Sequence, residues 1–126
     1  MLGLVFVSHI RKLAEGAIEL ARLVAPDVPM CAAGGLEDGS PGTDMARIAD
    51  AVSEADHGDG VLIFMDLGSA VMSAEMALEM NPDPHHIMMD APFVEGAVVA
   101  AAAAQGGASA EEVCRLVESQ KNVHKF

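Results

Sequence analysis

Residues 2–13 read LGLVFVSHIRKL. A run of apolar residues, LGLVFV at 2–7, stops at Ser8-His9, and the periodicity then changes. Ile10, Leu13, Ala14, Ala17, Ile18, Ala21, Val24 and Ala25 recur at helical spacing, which predicts one apolar stripe along a helix from 10 to 25. A buried strand that runs through a two-residue corner into a helix is the first half of a βαβ unit.

The same grammar repeats along the chain. MCAA at 30–33 predicts a second strand, followed by the glycine-rich loop GGLEDGSPGT at 34–43. A second helix is marked by Met45, Ile48, Ala49 and Val52, with Thr43 as its expected N-cap. VLIFM at 61–65 predicts the third strand, and Asp66-Leu67-Gly68-Ser69 leads into a third helix of about ten residues. HIMMDA at 86–91 predicts a fourth strand, ended by Pro92. An Ala/Val-rich helix then runs to Gln105. A last helix opens on the capping box Ser109-x-x-Glu112. Fully apolar strands alternating with helices imply a parallel sheet covered on both faces. The fold class is therefore α/β, a three-layer, mainly parallel four-stranded sheet of expected order 2-1-3-4, forming a single domain over residues 1–126.

Composition narrows the function. The formal charge is −12, from 19 acidic and 7 basic residues. A basic groove for nucleic acid is excluded, and an anionic membrane surface would repel the chain. Basic partner proteins suit it. No signal peptide is recognised at the N-terminus, and the Ala-rich stretch at 97–104 is too short to span a bilayer. Cys31 and Cys114 lack CxxC spacing and read as buried, reduced thiols, consistent with a cytoplasmic protein. Nine Met and many Ala stand in for aromatics, since the chain has four Phe and no Trp or Tyr. The Ala- and Met-rich helix faces around 71–80 and 97–104 are candidates for a contact between copies of the chain, with ordinary packing on the sheet as the alternative.

Topology then selects a site. In an open parallel sheet, ligands bind beyond the carboxyl ends of the strands at the switch point. For order 2-1-3-4 that point lies between strands 1 and 3, which end at His9 and Asp66. A carboxylate bonded to one imidazole nitrogen fixes the tautomer and leaves the other nitrogen free as a nucleophile. Gly68-Ser69 opens a helix beside Asp66 and offers N–H groups and a hydroxyl to an anion. The loop at 34–43 leaves strand 2 on the other side and is expected to fold over the crevice. Such a cradle of donors suits a phosphoryl group on His9.

These residues carry a resemblance. FVSHIRKLAEGAIELA at 6–21, AAGGLEDGSPGTD at 32–44, MDLGSAVMSAEMALE at 65–79 and APFVEGAVVAA at 91–101 resemble the phosphocarrier subunit of the phosphoenolpyruvate-dependent dihydroxyacetone kinase. Its fold is that of the mannose-class IIA domain of the sugar phosphotransferase system. The resemblance implies that His9 takes a phosphoryl group from the phosphocarrier protein HPr and passes it to ADP held in the kinase's nucleotide-binding subunit, so that dihydroxyacetone is phosphorylated. It implies a homodimer, with Asp66 orienting the ring and Nε2 as the phosphorylated atom. Ser69, Thr43, Gly68 and the Gly34-Gly35 backbone are the candidate phosphate contacts. No cofactor or metal is expected. Position 10 departs from the family, being Ile where a small polar residue is more frequent. Some members continue into HPr-like and enzyme-I-like domains. This chain is expected to receive its phosphoryl groups from separate proteins or to be an excised domain.

Other readings fit less well. An IIA-like carrier for another sugar or a regulatory target would share all these residues. A short metal chelatase also has a His after strand 1, but it needs a second His at another strand end, and strand 3 here ends in Asp66. His85 and His86 fall at the start of strand 4, the opposite edge. A response-regulator receiver needs acidic residues after strand 1 to hold Mg²⁺, and this chain has Ser8-His9 there. Ser8-His9 is no hydrolase dyad, because the nucleophile-elbow pattern is absent. Ser8 is left without a role.

Overall fold

The computed structural model describes all 126 residues. Its strands are β1 (Gly3–Ser8), β2 (Met30–Gly34), β3 (Val61–Met65) and β4 (His86–Met89). Its helices are α1 (Arg11–Arg22), α2 (Met45–Ala55), α3 (Gly68–Met80), α4 (Phe93–Gln105) and α5 (Ala110–Glu118), with a short 3₁₀ turn at Ser119–Asn122. All strands are parallel, in the expected order β2-β1-β3-β4.

Alternation along β1 builds the three layers. Leu4 and Phe6 face one way, into a core shared with Ala14, Ala17 and Ala21 of α1, Ala97, Ala100 and Ala104 of α4, and Val113 and Val117 of α5. Val5 and Val7 face the other way, against Ile48 and Val52 of α2 and Ala70, Ala74 and Ala77 of α3. Phe6 and Phe64, paired across β1 and β3, stack at 5.9 Å, and Phe93 meets Phe6 edge-on at 6.1 Å.

Alanines let the helices lie close to the sheet, and this tight packing has consequences. Ala14, Ala17, Ala21 and Ala25 of the first apolar stripe are buried, while Ile10, Leu13 and Val24 remain 42–45% exposed. Only the narrow alanine line fits beneath α1, so the larger residues at its margins face out. The helix itself ends at Arg22, with Leu23 as its C-cap. At Gly3 an added Cβ would stand 2.1 Å from the Ala55 carbonyl oxygen at the end of α2. Gly3→Ala is therefore expected to destabilise the fold by about 3 kcal/mol, lowering Tm by roughly 10 °C. A melting temperature within about 2 °C of wild type would show that α2 yields freely.

Three expectations need correction. Thr43 is not the cap of α2. Its hydroxyl pairs with Ser73 Oγ at 2.7 Å, and Asp44, in extended conformation, accepts from the Ala46 and Arg47 amides instead. The fourth strand stops at Met89, where its pairing with Phe64 ends, so Asp90 and Ala91 lie outside it. Ala97, Ala100, Ala101 and Ala104 are at most 1% exposed, packed on the sheet, so that face of α4 offers no dimer contact. Ser109 does cap α5, accepting from the Glu112 amide.

Candidate functional site

His9 follows β1 and Asp66 follows β3, in neighbouring strands whose last paired residues are Val7 and Met65. The ladder carries on by one bond, from the Asp66 amide to the Val7 carbonyl at 3.1 Å. This sets the Asp66 side chain beside the Ser8-His9 corner. Its carboxylate accepts four hydrogen bonds. Oδ1 takes the His9 Nδ1–H at 3.0 Å and the Leu67 amide at 2.7 Å, and Oδ2 takes the Ser8 hydroxyl at 2.9 Å and the His9 amide at 3.0 Å. Its side chain is 10% exposed. Burial by itself would raise the Asp66 carboxyl, but bonds from the His9 amide, Ser8 hydroxyl, His9 ring and Leu67 amide outweigh burial and hold it below the usual carboxylate range.

An ionised Asp66 accepts only, so the Nδ1 bond assigns the proton to Nδ1. The lone pair is then on Nε2, and the imidazole is 24% exposed. Nε2 meets the Ser69 hydroxyl, which donates to it. Ser69 is in the first turn of α3, a helix without a side-chain cap. Ala70 and Val71 bond the Leu67 carbonyl, which leaves the Gly68 and Ser69 amides with no backbone acceptor. Two free N–H groups, a hydroxyl and the positive end of a helix dipole therefore surround this nitrogen. A Cβ at Gly68 would meet nothing within 4 Å, so the space beside it is open. Next to it a groove of about 340 Å³ lies between α3 and β4, bordered by Asp66, Leu67, Val71 and Met88.

The loop at 34–43 is bound to the same corner. The Gly35 amide donates to the Ser8 carbonyl at 3.1 Å and the Gly42 amide to the His9 carbonyl at 2.9 Å. Gly34 and Gly35 thus act here by close packing. A Cβ at Gly34 would come within 2.7 Å of Arg11 Cα, and Gly35 has φ +67°. The Gly35 amide is engaged with the backbone and not free for an anion. Thr43 ties the loop to α3 through Ser73.

Ser8 is the residue that sequence reasoning missed. It is fully buried, the one polar member of the core, and besides bonding Asp66 it accepts from the Ile10 amide at 3.1 Å. The available signal was a hydroxyl closing an otherwise apolar strand, where a buried polar group demands a partner.

At the opposite edge, His86 Nε2 is 2.7 Å from Asp56 Oδ2 and 3.7 Å from Asp83 Oδ2. The hydrogen bond from His86 holds the Asp56 carboxyl below its usual range. The pair joins the end of α2 to β4 and accounts for the cluster as part of the fold. His85 is 76% exposed in its side chain. No histidine joins His9 at the switch point, where its ring partners are Asp66 and Ser69.

Residues 3–114 match the family model EIIA-man, described as the fructose IIA component of the phosphotransferase system (PTS). A relative from Lactococcus lactis subsp. lactis (strain IL1403), the phosphotransferase subunit DhaM of a PTS-dependent dihydroxyacetone kinase, is 38% identical over 92% of this chain and 93% of its own. A phosphoryl donor subunit DhaM of PEP-dependent dihydroxyacetone kinase 2 from Listeria innocua serovar 6a is 36% identical over 98% of this chain and 100% of its own. The Escherichia coli (strain K12) phosphoryl donor subunit DhaM is 38% identical, but this chain spans only 25% of its length. The crystal structure of EF1359, a protein described as of unknown function, superposes with a TM-score of 0.88 at 31% identity, covering 99% of this chain and 98% of that one. No helix is long and apolar enough to cross a membrane. With the α/β sheet order, the switch-point site and these matches together, the chain belongs to the EIIA-man family of phosphotransferase-system IIA components.

Proposed function

We propose that the protein is a phosphohistidine carrier that relays a phosphoryl group from phospho-HPr to ADP in the nucleotide-binding subunit of a dihydroxyacetone kinase. The observation that carries this reading is the division of the His9 ring. Nδ1 is fixed by Asp66, while Nε2 faces the Ser69 hydroxyl and the uncapped start of α3.

In the first step the Nε2 lone pair attacks phosphorus. The bond from phosphorus to the donor's histidine nitrogen breaks, and its electron pair stays with the donor. The positive charge that develops on the His9 ring is offset by Asp66, which keeps the Nδ1 proton in place. Ser69 then turns its hydroxyl to a phosphoryl oxygen, and the Gly68 and Ser69 amides supply two more donors. In the second step an oxygen of the ADP β-phosphate attacks, the Nε2–P bond breaks, and its electrons return to the ring as ATP forms. Dihydroxyacetone is the final acceptor. The chemistry asks for no metal or cofactor held by this chain.

Names of the relatives as DhaM support the kinase destination. The charge of −12 suits a donor with a basic rim, and the exposed Ile10, Leu13 and Leu67 give both partners an apolar contact around His9. We read the protein as a cytoplasmic homodimer whose contact uses the face of α3 that exposes Met72, Met76 and Met80.

The test is incubation with phosphoenolpyruvate, enzyme I and HPr, followed by intact-mass and peptide analysis. One acid-labile phosphate on His9 is expected, and it should be discharged when the kinase subunits, ADP and dihydroxyacetone are added. No uptake overturns the carrier role. Uptake without discharge redirects the search to another acceptor.

A further inference from the structure

Two arginines border the loop at 34–43, and neither closes an ion pair in a chain with 19 acidic residues, although the charge of Arg11 helps to lower the Asp38 carboxyl within the loop. Arg11 Nη2 approaches the Leu36 carbonyl at 3.3 Å and the Glu37 carbonyl at 3.4 Å. Arg47 Nη2 approaches the Gly34 carbonyl at 3.4 Å. Neither takes part in any of the protein's ion pairs. Arg47 Nε is the one buried side-chain nitrogen or oxygen without a hydrogen-bond partner. Buried polar groups are nearly always paired, so this exception asks for an explanation. Arg11 breaks a second rule. It and Lys12 place positive charge in the first turn of α1, where the dipole disfavours it and where no acidic residue is present. Local rules broken together at one place mark function more often than accident.

We infer that Arg11 and Arg47 are positioning residues that clamp the Gly34, Leu36 and Glu37 carbonyls and hold the 34–43 loop over phosphorylated His9. The inference rests on the carrier reading and adds to it a means of setting the loop. The clamp is slack in the free protein, with three long bonds and an unused Nε–H. The loop it holds is joined to the backbone of Ser8 and His9 through Gly35 and Gly42. A dianionic phosphoryl group on Nε2 adds negative charge at the Ser8-His9 corner to which this loop is bonded. Attraction then draws the guanidinium groups and the carbonyls they hold toward the crevice. A guanidinium suits this task because its fork bonds several carbonyls at once, which an ammonium group matches less well.

The experiment uses phosphoramidate, a small phosphoryl donor, so that no partner protein is involved. The His9 Nε2–P bond forms as the P–N bond of phosphoramidate breaks and ammonia leaves. Uptake is followed by intact mass, and hydrogen exchange of the 34–43 amides is compared before and after loading. Wild type is expected to gain protection in this loop on loading. Arg47→Gln and Arg11→Gln are expected to lose that gain and to take up phosphate about tenfold more slowly. Arg47→Lys should recover part of both. A purely structural role would lower Tm equally in both states and leave the loading-dependent protection intact. If Arg47→Gln fails to fold, Arg11→Gln gives the answer. Wild-type uptake and protection in the glutamine variants would overturn the clamp while leaving the carrier reading standing. No loading of wild-type His9 would overturn both.

Discussion

His9→Ala is expected to abolish phosphoryl uptake from phospho-HPr, with no residual slow transfer above the uncatalysed background. The substitution removes the nucleophilic nitrogen, and no neighbouring group replaces it. Ser69 is the nearest hydroxyl, but it has no base other than the imidazole that was removed. The fold should persist. Asp66 keeps three of its four donors, from the Ser8 hydroxyl and the His9 and Leu67 amides, and the lost ring is partly exposed. A stability change of about 1 kcal/mol or less is expected, from the loss of one hydrogen bond at a part-buried site. Mass spectrometry after incubation with the phosphoryl donors, beside a thermal melt, separates lost chemistry from lost structure. Phosphate uptake at the wild-type rate would place the acceptor on another residue and end this account of the site.

Asp66→Asn should be nearly as damaging, for a different reason. Asp66 accepts from four donors, and an asparagine amide can accept only through its single oxygen. If that oxygen faces Nδ1 and the Leu67 amide, the NH₂ group is set against the His9 amide, donor against donor. If the amide flips, NH₂ faces Nδ1, the ring proton moves to Nε2, and the nucleophilic lone pair is lost. Replacing the aspartate of a serine-protease triad, which forces the same wrong tautomer, costs about 10⁴-fold. Here a loss of about 10³-fold or more in the transfer rate is expected on that basis. A rate within about tenfold of wild type would show that Asp66 does not set the tautomer.

The same substitution predicts a change in acid sensitivity. The Asp66 carboxyl lies below its ordinary value in the folded protein. Its contribution to stability is therefore complete above about pH 4 and is lost as pH falls through the lowered folded value. Asp66→Asn should flatten this part of the stability profile and leave the remainder, set by Asp56, Asp83 and Asp38, in place.

Much of this was legible in residue order. Apolar runs at 2–7 and 61–65, each followed by helical periodicity, were enough for a parallel sheet, because strands buried on both faces are apolar throughout and parallel neighbours require crossovers. The order 2-1-3-4 then put His9 beside Asp66, since the switch point is a property of connectivity and not of side-chain detail. Family resemblance added the reaction proposed for this pair.

Other features exist only in three dimensions. Ser8 looked idle in sequence because its partners are Asp66, 58 positions away, and the amide of Ile10. Thr43 read as a helix cap because local sequence cannot show that Ser73 holds its hydroxyl. Gly34 and Gly35 read as phosphate ligands, yet the close approach of α1 and a bond to the Ser8 carbonyl are what occupy them. The alanines of α4 looked available for a partner until the sheet was seen to cover them. Periodicity and connectivity are carried by the chain, so residue order was enough for the layers, the strand order and the pairing of His9 with Asp66. Each hydrogen-bonding group can choose among partners distant in sequence, so the ring's tautomer, the buried hydroxyl behind it and the arginines around its loop emerge only once the chain is folded.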